Sequence, residues 1–121
     1  MFSPTKISSE KPNKNTVFKM EVIWSSRAKI TWFNILDYLD RNWTKKEIKQ
    51  FIQRTEIIIK AIRKNPGIFP NSVKYNKVKK AIVDKNNSFF YQVDKKSQKI
   101  YILTFFDNRQ NPEHLKIEKL I

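Results

Sequence analysis

Between Val78 and Pro112 the chain reads VKKAIVDKNNSFFYQVDKKSQKIYILTFFDNRQNP, and this stretch limits what the remainder can fold into. Its three apolar runs, Val78 to Val83, Ser88 to Val93 and Ile100 to Phe106, have the length and the β-branched and aromatic content of strands. Lys85-Asn86-Asn87 suits a tight hairpin, because Asn tolerates left-handed backbone angles better than most residues. Asp94 to Lys99 carries no apolar residue and reads as a longer hairpin loop. The prediction is a three-stranded antiparallel meander, closed by a coda from Asp107 to Pro112 that is too polar to be packed away.

Strand alternation then assigns faces. In the second run Phe89, Tyr91 and Val93 share one face, with Phe90, Gln92 and Asp94 on the other. In the third run Ile100, Ile102, Thr104 and Phe106 oppose Tyr101, Leu103 and Phe105. Both faces are partly apolar, so a second layer is expected on one of them and a partner on what remains.

The preceding chain supplies that layer. Glu21 to Trp24 is a short first strand, joining the meander at an edge or beside its last strand. Ser25 and Ser26 are suitable N-caps for a helix over Arg27 to Arg41, with Ala28, Trp32, Ile35, Leu36 and Leu39 at helical spacing. Thr44-Lys45-Lys46-Glu47 has the pattern of a capping box, and the helix it opens carries Ile48, Phe51, Ile52, Ile58, Ile59 and Ile62. Lys60, Arg63 and Lys64 crowd its last turn, where the helix dipole favours positive charge, and Asn65-Pro66-Gly67 ends it. Only a few residues around Asn42 and Trp43 separate the two helices, so they form an antiparallel hairpin. Phe69-Pro70 is expected to anchor the linker onto the core. The fold class is α+β: strand, helical hairpin, then three-stranded antiparallel meander.

Met1 to Lys19 is rich in Ser, Lys, Asn and Pro and is expected to be a flexible tail, with residues 20–121 forming a single domain. Met20 is a second candidate start. Glu113 to Ile121 reads as a short final helix or an unpaired tail. With no cysteine and one histidine, disulfide frameworks, cysteine nucleophiles and Cys/His metal sites are excluded. One glycine excludes a Gly-rich phosphate loop. No cofactor and no metal are expected. Apolar runs fall short of a membrane span and there is no signal-peptide centre, so a cytoplasmic chain with no membrane partner is expected. The formal charge of +14 is unevenly placed: between Lys60 and Lys85 eight basic residues face one acid, Asp84. Such a field favours an acidic partner.

Four segments together, VIWSS, KNPGIFP, NNSFFYQV and ILTFFDNRQNP, make the chain from Met20 to about Leu115 resemble the RelE/ParE family of toxins from bacterial type II toxin–antitoxin systems. The likeness is strongest to its ParE-like, plasmid-stabilisation branch. It implies growth inhibition relieved by a cognate acidic antitoxin that wraps the toxin. Operator DNA would be bound only through that antitoxin. Within the family, ParE-like members inhibit DNA gyrase and RelE-like members cut mRNA on the ribosome. The resemblance therefore implies gyrase as the target, with ribosome-dependent mRNA cleavage, a metal-independent endoribonuclease activity, as the alternative.

Metal-free RNA cleavage needs groups that activate the 2′-hydroxyl, stabilise a phosphorane and protonate the leaving oxygen. By the resemblance, Arg109 matches the family's C-terminal Arg, and Lys79 or Lys80 stands for the first-strand Lys. The middle-strand Arg falls at Ser88, and the C-terminal Tyr falls near His114 or Leu115. An imidazole titrates near neutrality, so His114, the one histidine, is a candidate general acid or base. Arg109 can also pair locally with Asp107, two residues away. From a different class, a basic aromatic sheet also fits a nucleic-acid-binding module without toxicity, whose binding would be salt-sensitive and sequence-tolerant.

Overall fold

Short-range signals set the element boundaries. The computed structural model describes residues 20–111, 115 and 117, so the readings of the N-terminal tail, of a final helix and of His114 lie outside the described residues. The order is β1 (Glu21–Trp24), α1 (Ser26–Asn42), α2 (Lys45–Lys64), β2 (Lys79–Ile82), β3 (Asn87–Asp94) and β4 (Lys99–Asp107). Ser25 caps α1, its hydroxyl accepting the Ala28 N–H at 2.9 Å. At α2 the Glu47 carboxylate reaches back to the Thr44 N–H at 2.9 Å and also takes the Thr44 hydroxyl. Asn65 leaves the helix with φ −141° and ψ 86°, outside the helical region that a following proline disfavours.

The meander forms as expected, and β1 joins it beside β4 in parallel, giving a mixed sheet of order β1-β4-β3-β2. Trp32 is the centre of the helix-facing core, with ring centroids 5.6 Å from Trp24, 5.1 Å from Phe51 and 5.1 Å from Phe105. Ile59 and Ile62 from α2 and Ala81, Phe89, Tyr91, Ile100 and Ile102 from the strands complete this layer. Phe69 packs against it, as expected of the linker anchor. Tyr91 ties the same linker down by donating its hydroxyl to the Pro66 carbonyl at 2.8 Å, and burial pushes that phenol up to about 12.

Three details differ from the sequence reading. First, Phe90 pairs with Thr104 but Tyr91 pairs with Ile102, so Leu103 is an extra residue in β4. This bulge resets the alternation. Ile100, Ile102 and Phe105 pack under the helices, whereas Tyr101, Leu103 and Phe106 pack on the opposite face. Helix α1 holds the bulge: Ser25 donates its hydroxyl to the Leu103 carbonyl at 2.7 Å, and the Phe105 N–H donates to the Thr31 hydroxyl at 2.9 Å. Second, no Asn of the β2–β3 turn is left-handed; positive φ occurs at Lys77 and Gln98. That turn is instead organised by the Asp84 carboxylate, which accepts the Asn86 and Asn87 N–H groups at 2.8 and 2.9 Å. Third, Arg63 is not part of a basic surface. It is 2% exposed, with its Nε donating to the Met20 carbonyl at 3.0 Å.

The face away from the helices is partly covered by the chain itself. Val78, Phe90, Leu103 and Leu115 are buried there, flanked by Tyr75, Tyr101, Phe106 and Ile117. Lys74 Nζ and the Tyr75 hydroxyl both donate to the Leu115 carbonyl at 3.0 Å, fastening that residue over the sheet.

Candidate functional site

The polar coda is built onto the sheet end, not left loose. Asp107 closes β4 opposite Asn87, and the Asn108 N–H donates to the Asn86 carbonyl at 2.7 Å. Ser88, fully buried, donates its hydroxyl to the Asn108 Oδ1 at 2.8 Å. These bonds hold Arg109 in place. Its Nε and Nη2 donate to the two oxygens of Asp107 at 2.9 and 2.7 Å, and its guanidinium lies 5.8 Å from the ring centre of Tyr38. The local pair anticipated from sequence is therefore formed, and it is directed against α1.

Arg109 stands at the mouth of a groove of about 890 Å³ between α1, the start of α2, the β2–β3 turn and the end of β4. Ile35, Leu39, Phe51, Val83 and Phe105 give it an apolar lining. Arg27, Arg54, Lys85 and Arg109 supply cations, and the lining acids are Glu47, Asp84 and Asp107. Each acid is already engaged: Glu47 with Thr44, Asp84 with the turn amides, Asp107 with Arg109. With an apolar lining and four cations against three acids, the groove suits a segment with an apolar face and acidic flanks. Tyr38 and Trp43, 40% and 55% exposed, add aromatic surface at its edge. Sequence reasoning passed over both; the available signal was that Tyr38 lies off the apolar stripe of α1 and Trp43 sits in the interhelical turn.

The Arg109 side chain, by hydrogen bonding first, holds the Asp107 carboxyl below the usual carboxylate range. A depressed folded-state value contributes stability that is fully present above the unfolded value, about 3.9, and is lost as pH falls below it. Because the pair is partly solvated, the contribution is expected to be under about 1 kcal/mol. An NMR titration of the Asp107 side chain is expected to show a midpoint below about 3.9, moving upward in Arg109→Ala.

The other sequence-predicted residues are dispersed. Lys79 and Lys80 are consecutive on β2 and take opposite faces. Lys79 Nζ donates to Asn71 Oδ1 at 3.1 Å, while Lys80 Nζ sits 6.0 Å from the ring centre of Phe90 on the outer face. Neither lines the groove that holds Arg109. Ser88 faces the coda, and His114 lies outside the described residues. Among the described residues no group of three or more His, Asp or Glu side chains could hold a metal ion.

Neither a family model nor a curated protein sequence matches this chain. Solved structures do. A YoeB/ParE toxin from Agrobacterium tumefaciens is similar at 12% identity, covering 74% of this chain and 99% of that one, with a TM-score of 0.54. The toxin–antitoxin complex RelBE2 from Mycobacterium tuberculosis contains a chain similar at 11% identity, with 78% and 97% covered and a TM-score of 0.53. The YoeB dimer from Staphylococcus aureus matches at 16% identity, with 76% and 99% covered and a TM-score of 0.52.

The chain has the RelE/ParE toxin fold. In this RelE/ParE-like fold, the strand, the helical hairpin and the mixed four-stranded sheet account for nearly the full length of the similar toxins. At these identities the likeness concerns the fold, so the residues must speak for the chemistry.

Proposed function

We propose that this chain is the toxin of a type II toxin–antitoxin pair, of the ParE-like, plasmid-stabilisation branch, and that it acts in the cytoplasm by binding DNA gyrase. The observation that carries this reading is the dispersal of the cationic side chains. A phosphorane-stabilising site needs several positive groups converging on one point. Here Lys79 and Lys80 diverge to opposite faces, the middle-strand position is a buried serine, and Arg109 is held by Asp107. A binding toxin requires only a shaped surface, and the groove with its cationic rim is one. A cognate acidic antitoxin is the partner that such charge favours, and operator DNA would be selected by that antitoxin.

The second reading, ribosome-dependent mRNA cleavage, draws on Lys80 standing beside Phe90 on the outer face, with His114 and Arg109 as further contributors. Induction of the chain in a bacterial host separates the two. Growth arrest with DNA breaks and intact transcripts is expected. Codon-specific cut transcripts would favour the second reading, and unimpaired growth at levels yielding folded protein would overturn both. Arg109→Ala is expected to leave stability within about 1 kcal/mol, since its ion pair is exposed, while lowering toxicity at least tenfold. Unchanged toxicity would remove Arg109 from the site.

A further inference from the structure

We infer that the pole of the sheet opposite the groove is a nucleic-acid phosphate-binding surface, built from lysines that the fold gathers from three separate parts of the sequence. Lys99 begins β4, paired with Asp94 at the end of β3 and with Glu21 at the start of β1. Lys95 and Lys96 lie in the adjoining β3–β4 turn, and Lys77 immediately precedes β2, whose start is antiparallel to the end of β3. The bond from Arg63 Nε to the Met20 carbonyl brings the C-terminal end of α2 to the same pole, adding Lys60 and Lys64. All of these lysines except the half-buried Lys99 are exposed. Two acids stand among them, Glu21 and Asp94; the Asp94 carboxylate accepts the Ser97 hydroxyl at 2.7 Å and keeps its charge, so six lysines face two acids at this pole.

The four strand ends span about 14 Å at the usual interstrand spacing. Duplex DNA carries roughly one negative charge per 1.7 Å of axis, so several phosphates fit across that width. Compact ammonium groups on flexible stems suit phosphates approached in any orientation, without base readout. A membrane surface is the weaker match, because Ile68 and Val73 are the large apolar side chains exposed on the linker to this pole, too few for an interfacial anchor. The pole lies about 24 Å along β3 from Asn87, where the Arg109 groove begins, so the two surfaces are independent. This inference does not rest on the toxin reading.

Fluorescence anisotropy of the full chain, with a labelled 20-base-pair duplex DNA and a 20-nucleotide RNA, tests it. Binding is expected to weaken with salt with a logarithmic slope of about −4 to −5 on the duplex, roughly 0.9 per neutralised phosphate. The triple variant Lys95→Gln, Lys96→Gln, Lys99→Gln should reduce the slope by about 2–3 and the affinity at least tenfold. The double variant Lys60→Gln, Lys64→Gln provides a separate check, with a slope reduced by about 2. The triple variant Lys45→Gln, Lys46→Gln, Lys49→Gln removes the same charge at the other end of α2 and should change affinity less than twofold. Preference for either nucleic acid supports the inference and identifies the nucleic acid. Equal losses in the two triple variants, no binding of either probe at 50 mM salt, or tighter lysine-dependent binding to phosphatidylserine vesicles would overturn it.

Discussion

Trp32→Ala is expected to destabilise the fold by about 3–5 kcal/mol, the range for removing a large, fully buried aromatic side chain. Trp32 has no exposed surface, and its indole meets Trp24 from β1, Phe51 from α2 and Phe105 from β4. It therefore joins the two helices to both strands of the parallel pair. Aromatic pairs add about 0.5–1.5 kcal/mol each beyond area burial, so truncation removes geometry as well as volume. Urea unfolding followed by circular dichroism gives the value directly. A loss below about 1 kcal/mol would mean that the core collapses around the gap, contrary to the packing described.

Arg63 provides the second large effect. Its side chain is buried, and its Nε satisfies the Met20 carbonyl just before β1. Arg63→Ala leaves both a cavity and a carbonyl without that donor, so a loss of about 2–4 kcal/mol is expected. Arg63→Met restores most of the volume without the donor and is expected to recover about half of that loss. Equal losses in the two variants would assign the whole effect to the hydrogen bond. A loss confined to Arg63→Ala would assign it to volume.

Arg63 also illustrates where sequence reading stops. A basic residue in the last turn of a lysine-rich helix is ordinarily a solvated partner of the helix dipole. Its burial follows from where β1 docks, and parallel pairing with β4 is a long-range choice with no local signature. The helices, by contrast, were legible, because Ala28, Trp32, Ile35, Leu36 and Leu39 on one and Phe51, Ile52, Ile59 and Ile62 on the other carry the period of their own secondary structure. Strand existence was legible for the same reason; the facing of β4 was not. Leu103 offers no chemical hint of a bulge, since the bulge is held by Ser25 and Thr31, more than seventy residues earlier.

At the candidate site, the Arg109–Asp107 pair was readable from a separation of two residues. The groove that it borders was not, because Tyr38, Trp43, Arg54 and Lys85 converge only once the hairpin and the β2–β3 turn are placed. A serine at position 88 carries no charge to stabilise a phosphorane, which is legible from its residue type alone. Its role in fastening the coda through Asn108 required the structure.

Adding the purified chain to DNA gyrase is the most direct test of a binding toxin. Supercoiling of relaxed plasmid should be inhibited in proportion to toxin, with loss of inhibition in Arg109→Ala, while mRNA on programmed ribosomes stays intact. Unimpaired supercoiling together with cleavage of ribosome-bound mRNA would contradict the account.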